Sequence, residues 1–434
     1  MSREMISLDT TVERAILVGA PLKRTNARHL MDEHLEELAR LTDTAGATVV
    51  GTLTQQLDRP DSSTYIGKGK LDELKLMMSE KEATLVIFDD ELSPAQAKNL
   101  ELELNKRVID RAELILDIFA VRARSAEAKM QVELAQLEYS LPRLTRMWTH
   151  LEKFRGGIGV RGPGETQLES DRRMVGHRIK VLQERLEEVK KSREVQRQGR
   201  KSEFRAALVG YTNAGKSSIL KSLSGAADVF IEDRLFATLD PLTREVDIGE
   251  RQKTLVTDTV GFVRKLPHQL VASFRATLEE TREADLLLHV IDASHPSWEE
   301  QRVVVDEVLA DIGVAETPVL HVFNKMDRLA PEMAEALRAR IANLLPNSVF
   351  VTARGATDIA ELTEALRAAA RARTPVAHVR IPAGNGKLIA DVHRNAEVIQ
   401  SMHDEETGDV LLTARLDAAL RGRVEREGIT VVDG

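Results

Sequence analysis

Short β-branched runs alternate with helical leucine patterns through the first quarter of the chain. The helical patterns place leucine at intervals of three, as at Leu35, Leu38 and Leu41. Strands that alternate with helices in this way predict a parallel sheet covered by helices. The four predicted strands are RAILVGA, ATVVGTLTQQ, TLVIFDDE and KRVID. We therefore predict a parallel α/β domain over residues 1–111.

From residue 112 the apolar spacing becomes purely helical and predicts two long helices. The first carries one apolar face and is expected to end at Pro142, because proline disrupts a helix interior. The second has apolar steps of four, three, four and three, which is the seam of a coiled coil. Its seam residues are Val175, Ile179, Leu182, Leu186 and Val189. The spacing predicts that the two helices pack as an antiparallel hairpin over residues 112–202.

A glycine-rich segment, RGGIGVRGPGET, joins the two predicted helices, and its five glycines exclude a continuous helix or strand. The chain has a net charge of −8, yet residues 143–205 hold 17 Lys and Arg against 9 Asp and Glu, a local charge of +8. Charged helices are commonly no more than solvated faces. Beside a glycine-rich tip that carries Arg155 and Arg161, the charge instead favours contact with structured RNA.

Side chains near this tip have two interpretations. Trp148 and Phe154 could stack on bases or pack in a core, and for Met147 the core is favoured. The IGKGK segment, with Lys68 and Lys70, is either a second phosphate contact or a turn before a helix.

Changes of composition near residues 203 and 374 mark two further domains, 203–373 and a small α+β module over 374–434. Apolar residues make up 42% of the chain, which is enough for large cores. The chain has no Cys, no run of 18 apolar residues and no basic-then-apolar start. We expect a cytoplasmic monomer without a membrane span.

The segment GYTNAGKS, residues 210–217, follows the apolar run RAALV and precedes the helical pattern SILKSL. Strand, glycine-rich loop and helix come in the order of a phosphate-binding loop. In such a loop backbone N–H groups surround a β-phosphate, Lys216 neutralises β- and γ-phosphate oxygens, and the Ser217 hydroxyl binds Mg²⁺. The pattern predicts a site for a nucleoside triphosphate.

Three later motifs indicate that the nucleotide carries guanine. In DTVG, Asp258 can hold Mg²⁺ through water and the Gly261 N–H can sense the γ-phosphate. In NKMD, Asp327 can accept guanine N1–H and N2–H while Asn324 braces the loop. The backbone N–H of Ala353, after the strand SVFV, could donate to guanine O6. Each motif is weak alone, but their order and spacing make the set specific.

These motifs match the translation-factor-related class of small GTPase domains, and longer segments narrow the match. The chain resembles the HflX family of ribosome-associated GTPases in GYTNAGKSS, DRLFATLDPLTRE, DTVGFVRKLP, GGIGVRGPGETQLE and IGKGK. The resemblance covers residues from about 14 to 373. It implies a P-loop GTPase domain with a mixed, mostly parallel sheet over residues 203–373. It also implies a protein that binds the large ribosomal subunit and uses GTP to split or rescue stalled ribosomes under stress.

The resemblance also assigns ions to the site. The family motif places a Mg²⁺-binding threonine at Thr238 in FATLD, with Thr243 as the competitor. Asn213 resembles the asparagine of K⁺-activated GTPases, although a plain loop asparagine is the alternative. The candidate nucleotide-binding residues are Gly210, Tyr211, Thr212, Asn213, Ala214, Gly215, Lys216, Ser217, Ser218, Asp258, Gly261, Asn324, Lys325, Asp327, Thr352, Ala353 and Arg354; Lys216, Thr238 and Gly261 are assigned to catalysis.

Phe262 stands where many GTPases carry a glutamine that orients the attacking water. A phenyl ring cannot hydrogen-bond water. In-line attack on the γ-phosphoryl group must then rely on Lys216, Mg²⁺ and groups from a partner or a reordered loop. We expect slow intrinsic hydrolysis that a partner stimulates.

Three functions fit these observations. The first is a GTP-driven switch acting on ribosomes. The second is an RNA-remodelling or ribosome-assembly NTPase with a second, ATP-accepting site in the N-terminal domain. The third is a regulatory scaffold with no RNA partner. Competition of GTP against ATP and co-sedimentation with ribosomal subunits separate them.

Overall fold

The computed structural model forms two compact units. Unit 1 contains residues 1–189 with the short stretches 234–236 and 265–274, and unit 2 contains the rest of the chain. The structure describes residues 12–23, 30–144, 163–198, 204–225, 235–236, 238–249, 252–265, 280–314, 316–355, 357–374, 376–404, 406–416 and 418–433.

Unit 1 begins with a four-stranded parallel sheet in the order β2-β1-β3-β4. Its strands are β1 Arg14–Gly19, β2 Thr48–Thr54, β3 Leu85–Phe88 and β4 Arg107–Asp110. The helices are α1 Met31–Thr44, α2 Lys68–Glu80, α3 Pro94–Leu104 and α4 Arg111–Arg122. Ile16, Val18, Val86 and Phe88 form the buried centre of the sheet. The predicted parallel α/β fold is confirmed.

Two of these helices begin where the sequence provides caps. The Ser93 hydroxyl accepts the backbone N–H of Gln96 while the Gln96 side chain accepts the Ser93 N–H, and Pro94 takes the first helical position of α3. The Asp110 carboxylate accepts the Glu113 N–H at the start of α4. Each cap satisfies a backbone N–H of the first helical turn, which has no partner within the helix.

Two long helices follow, α5 Ala126–Leu144 and α6 Pro163–Gln198. Arg178 of α6 makes two hydrogen bonds to Glu133 of α5, at 2.7 and 2.8 Å, and Gln183 donates to Glu138 at 3.2 Å. The contacts advance by five residues along both helices, which is the register of parallel helices. Leu182 of the predicted seam is fully buried.

The predicted antiparallel packing of this helical pair is therefore wrong. The prediction assumed a short glycine-rich tip. The connection of 18 residues, 145–162, can span roughly 60 Å when extended, whereas a 19-residue helix is only about 29 Å long, so chain length permits a return along α5. Pro142 also lies within α5, whose last turn continues to Leu144.

Unit 2 contains a six-stranded sheet in the order β10-β9-β8-β5-β7-β6. All neighbouring strands are parallel except β6 and β7. The strands are β5 Arg205–Gly210, β6 Leu242–Gly249, β7 Gln252–Asp258, β8 Leu286–Asp292, β9 Val319–Asn324 and β10 Ser348–Phe350. The helices are α7 Lys216–Ser224, α8 Trp298–Asp311, α9 Pro331–Leu344 and α10 Ala360–Arg373. The predicted mixed, mostly parallel sheet is confirmed.

The C-terminal module is an antiparallel sheet, β12-β13-β11-β14, with two helices. Its strands are β11 Val376–Ile381, β12 Glu397–His403, β13 Val410–Arg415 and β14 Val431–Asp433, and its helices are α11 Gly386–Asn395 and α12 Ala418–Arg426. Leu388, Val392, Leu420 and Val424 pack on the buried face of this sheet. The predicted α+β module is confirmed. Among the helices in the described ranges, none has the length and apolar character needed to cross a membrane.

Candidate nucleotide-binding site

The loop that joins β5 to α7 has the backbone of a phosphate-binding loop. Gly215 has φ +98°, and a Cβ atom built there would lie 2.2 Å from Nδ2 of Asn324. Only glycine fits this position, because both the conformation and the close approach exclude a side chain. Helix α7 begins immediately afterwards at Lys216. The N–H groups of its first turn are therefore available to an anion, and the helix dipole favours negative charge there.

Lys216 lies at the floor of this loop. Its ammonium donates to the carbonyl oxygens of Gly210 and Tyr211, each at 3.1 Å. Burial lowers the pKa of Lys216 to about 8, and the nearby Asp258 carboxylate opposes that shift. Burial in turn raises the pKa of Asp258, and Lys216 opposes it. A bound phosphate would raise the pKa of Lys216 because it adds negative charge beside the ammonium.

Three oxygen-bearing side chains meet beside Lys216. The Ser217 hydroxyl donates to Asp258 Oδ2 at 2.6 Å and lies 2.9 Å from the Thr238 hydroxyl. Asp258 Oδ1 is buried and has no hydrogen-bond partner among the described residues. Thr243 lies elsewhere, on β6, where its hydroxyl is 2.8 Å from that of Thr257. Hydroxyl and carboxylate oxygens are the ligands that Mg²⁺ prefers, so the residues fit that ion.

The segment after Asp258 lies directly against the phosphate loop. A Cβ atom at Gly261 would be 2.7 Å from Cα of Thr212 and 3.0 Å from Nζ of Lys216, so only glycine permits this approach. Phe262 donates its N–H to the Gly210 carbonyl at 3.1 Å and accepts the Thr212 N–H at 2.7 Å. Its side chain is 1% exposed. The ring is therefore a packing group and is not positioned to orient a water molecule.

The NKMD loop is fastened to the same phosphate loop by side chains. Asn324, at the end of β9, donates from Nδ2 to the Ala214 carbonyl at 2.9 Å. Lys325 donates to the Asn213 carbonyl at 2.8 Å and pairs with Asp292 at 2.7 Å. These contacts place the predicted base-binding loop next to the predicted phosphate loop. Both loops follow the carboxyl ends of parallel strands, where α/β sheets bind ligands.

Two groups expected to meet guanine have partners in the structure. The Ala353 N–H donates to Asn324 Oδ1 at 3.2 Å. The Asp327 carboxylate forms an ion pair with the Arg354 guanidinium. Thr352, which precedes Ala353 in the chain, donates its backbone N–H to the Asp358 carbonyl, with 3.4 Å between nitrogen and oxygen. Donation from Ala353 to guanine O6 would thus replace or share an existing hydrogen bond.

Sequence reasoning missed Asp292, which holds the Lys325 ammonium and accepts the N–H and hydroxyl of Ser294 through its other oxygen. The available signal was an acidic residue at the carboxyl end of the buried strand LLLHVID. The predicted RNA contacts Arg155 and Arg161 lie outside the described residues, as do Met147, Trp148 and Phe154. No cluster of three or more His, Cys, Asp or Glu side chains suited to a metal occurs in the described part of the chain.

Comparisons with known proteins cover most of the chain. Residues 32–120 match the family described as GTP-binding GTPase N-terminal, residues 122–200 match GTP-binding GTPase Middle Region, and residues 205–325 match 50S ribosome-binding GTPase. The GTPase HflX of Caldanaerobacter subterraneus is 46% identical over 396 residues, covering 91% of this chain and 89% of that protein. The GTPase HflX of Magnetococcus marinus is 43% identical over 432 residues, covering 98% and 99%.

A solved structure is also similar in sequence. It is a GTP-binding protein from the archaeon Sulfolobus solfataricus in complex with GDP, with 26% identity, 83% of this chain and 99% of that chain covered, and a TM-score of 0.44. The two GTPase HflX relatives show the family of this chain, because their sequence similarity to it extends over 89% and 99% of their own lengths. The chain belongs to the HflX family of GTPases and is a GTP phosphohydrolase.

Proposed function

We propose that this chain is a GTP-driven switch that binds the large ribosomal subunit and couples hydrolysis to the splitting or rescue of stalled ribosomes under stress. The observation that carries the proposal is the meeting of Ser217, Thr238 and Asp258 at the phosphate loop. Thr238 and Asp258 come from two segments that respond to the γ-phosphate in GTPase switches. The match of residues 205–325 to 50S ribosome-binding GTPases supports the choice of partner. The cytoplasm is the proposed compartment.

Hydrolysis would use the groups that surround Lys216. Ser217 and Thr238 would bind Mg²⁺ directly, and Asp258 would hold it through a water molecule. Lys216 would neutralise β- and γ-phosphate oxygens, and the Gly261 N–H would donate to the γ-phosphate. Mg²⁺ supplies charge stabilisation to the phosphates when it is bound. The oxygen of an in-line water would form a bond to the γ-phosphorus while the bond from that phosphorus to the bridging oxygen breaks. The bonding electrons leave with GDP, and the proton of the water passes to the released phosphate.

The buried ring of Phe262 explains why a partner is part of this proposal. It presents no donor or acceptor to the attacking water, so the chain's own contribution is charge stabilisation. Asn213 contributes its carbonyl to Lys325 and has positive φ of 61°, which places it at a turn of the phosphate loop. We include K⁺ binding by Asn213 in the proposal as a second source of positive charge at the transferred phosphate.

Base recognition would come from Asp327, with Asn324 and Lys325 holding the loop. The carboxylate accepts the two N–H donors of guanine, whereas adenine presents no such pair. Contact with rRNA is assigned to the glycine-rich tip, where Arg155 and Arg161 would meet phosphates.

The test is co-sedimentation with purified large ribosomal subunits. We expect binding with a nonhydrolysable GTP analogue, weak binding with GDP, and no response to the equivalent ATP analogue. Lys216→Ala should abolish the nucleotide response, because it removes charge compensation at the phosphates. Equal sedimentation in all nucleotide states would contradict the switch, and binding to the small subunit alone would contradict the partner.

One cavity bears on the alternative of a second, ATP-accepting site. Unit 1 has a cavity of about 700 Å³ lined by residues that include Leu102, Arg107, Leu116, Asp117, Tyr139 and Arg143. Its arginines already have carboxylate partners: Arg107 pairs with Glu113 and Asp117, and Arg143 with Asp110. A triphosphate would therefore meet compensated charge. ATP binding that survives Lys216→Ala and is lost on Arg107→Ala would favour the alternative.

A further inference from the structure

The Asp327 carboxylate carries the proposed recognition of guanine, and in the structure the Arg354 guanidinium is paired with it. Asp327 belongs to the short 3₁₀ turn Met326–Arg328 that follows β9, and Arg354 lies in the loop that follows β10. Because β9 and β10 are parallel neighbours, the two loops leave the sheet side by side. The Asp327 side chain is 20% exposed and that of Arg354 is 74% exposed.

The chemistry of the two possible partners of Asp327 is closely matched. The edge of guanine that NKxD motifs recognise consists of N1–H and the 2-amino group attached to one carbon, which is a guanidine unit. An arginine guanidinium presents two parallel N–H donors in the same fork, and a carboxylate accepts such a fork with both oxygens. Arg354 therefore addresses the same acceptor as the base.

We propose that Arg354 is a specificity-determining residue that acts as an intramolecular substitute for guanine. The Arg354–Asp327 ion pair and the contact between Asp327 and the base exclude each other. Guanine enters by displacing the guanidinium, and Arg354 takes the carboxylate again as the base departs. The proposal rests on the assignment of Asp327 as the guanine acceptor.

The expected effect is modest because the Arg354 side of the pair is largely open to water. Exposed ion pairs are weak, and a pair that is closed in roughly half to four-fifths of the molecules raises the apparent dissociation constant about two- to five-fold. Salt screens exposed charges, so the effect should shrink as ionic strength rises.

Stopped-flow binding of GDP carrying a fluorophore on the ribose tests the proposal. In Arg354→Ala the association rate constant should rise about two- to five-fold while the dissociation rate constant stays unchanged. Arg354→Lys keeps the charge but loses the parallel donors, so its association rate constant should lie between those of the wild type and Arg354→Ala. The matched control is Arg328→Ala, which removes a neighbouring exposed arginine. Its association rate constant for GDP should equal that of the wild type or be lower. The gap between Arg354→Ala and wild type should narrow in high NaCl at constant K⁺.

The same measurement in the variant Asp327→Asn distinguishes a failure of this proposal from a failure of the base-site assignment. Asp327→Asn should accept xanthosine diphosphate in place of GDP, and its amide cannot hold a guanidinium as the carboxylate does. Adding Arg354→Ala to Asp327→Asn should therefore leave xanthosine diphosphate association unchanged. A failure of Asp327→Asn to accept xanthosine diphosphate contradicts the base site itself.

The proposal is overturned by any of three results with the base site intact. Arg354→Ala could leave GDP association unchanged. It could raise the dissociation rate constant, which would make Arg354 a direct contact of the bound nucleotide. It could also accelerate xanthosine diphosphate association in Asp327→Asn as much as GDP association in the wild type, which would show that the effect bypasses Asp327.

Discussion

The hydroxyl groups of Ser217 and Thr238 lie 2.9 Å apart, although the residues are 21 positions apart in the chain. The Ser217 hydroxyl donates to Asp258 Oδ2, and its oxygen lies within hydrogen-bond distance of the Thr238 hydroxyl. Three oxygens are thereby gathered at the first turn of α7. A divalent cation here would meet the hydroxyl oxygens of Ser217 and Thr238, with the Asp258 carboxylate beside them.

Thr238→Ala should lower GTP hydrolysis by about 100-fold, the typical effect of removing one stabilising group from a transferred phosphoryl site. GDP binding should change little, because Thr238 is assigned to the Mg²⁺ that meets the γ-phosphate. Thr243→Ala is the matched control, since the Thr243 hydroxyl faces Thr257 on the neighbouring strand. The rate of phosphate release at saturating Mg²⁺ measures GTP hydrolysis in both variants. A larger loss in Thr243→Ala than in Thr238→Ala would reverse the assignment.

Gly261→Ala should reduce hydrolysis by about 100-fold and leave GDP affinity nearly intact. The added methyl group would lie 2.7 Å from Cα of Thr212, so the loop must move away from the γ-phosphate position that its N–H is proposed to contact. Gly422→Ala on α12 is the control, because outside its chain neighbours and the adjacent backbone of its own helix no atom lies within 4 Å of the added group. Single-turnover hydrolysis and GDP titration separate the two effects. Wild-type turnover in Gly261→Ala would show that the N–H makes no essential contact.

Stability should fall in acid because of two histidines in the sheet of unit 2. Burial lowers the pKa of His289, and it lowers that of His321 to about 4, with Arg302 adding positive charge and Asp306 opposing it. In the unfolded chain both histidines titrate near the ordinary value of about 6.5. The unfolded state therefore binds more protons below that pH, and the free energy of unfolding should decline from about pH 6.5 towards pH 4.

Urea denaturation at pH 7.0 and 5.0 measures this decline. His321→Gln should reduce the difference between the two midpoints, because a titrating group is removed. His403→Gln, at an exposed position on β12, should not. An unchanged pH difference in His321→Gln would assign the acid sensitivity to other groups.

The glycine-rich tip should govern ribosome contact without affecting basal chemistry. Replacing Arg155 and Arg161 by Ala should leave basal GTP hydrolysis unchanged, because neither belongs to the nucleotide motifs. Stimulation by large subunits should collapse, and the salt dependence of binding should become shallower by roughly 0.7 to 0.9 in log-log slope per lost phosphate contact. Sedimentation across a salt series measures the slope. Wild-type binding and stimulation would assign the contact to another part of the chain.

Local features of the site followed from the sequence because they depend on neighbours in the chain. The loop around Gly215 needs glycine for its backbone, and strand and helix flank it within a few residues. The sequence also shows directly that Phe262 occupies the position at which many GTPases have glutamine. Even so, its burial against the phosphate loop is visible only in the structure.

Features that depend on contacts between distant segments could not be predicted from the sequence. The direction of α6 along α5 depends on how far a connection of 18 residues reaches, which apolar spacing does not encode. The pairs Lys325–Asp292 and Arg354–Asp327 each join loops from two neighbouring strands. Predicting them requires the strand order of the sheet, which motif spacing alone leaves open.

In the proposed switch, guanine nucleotide at the Asp327 site controls binding to the large ribosomal subunit. An exchange of base specificity tests this control. Asp327→Asn should lose about 100-fold or more in GTP affinity and gain affinity for xanthosine triphosphate, because an amide can pair with the altered base. Sedimentation with purified large subunits would be measured with nonhydrolysable guanosine and xanthosine triphosphate analogues. Subunit binding by the wild type should respond to the guanosine analogue, and subunit binding by Asp327→Asn should respond to the xanthosine analogue. If binding by the variant still depends on the guanosine analogue, or depends on neither analogue while xanthosine nucleotide is bound, then the nucleotide at Asp327 does not control binding to the subunit.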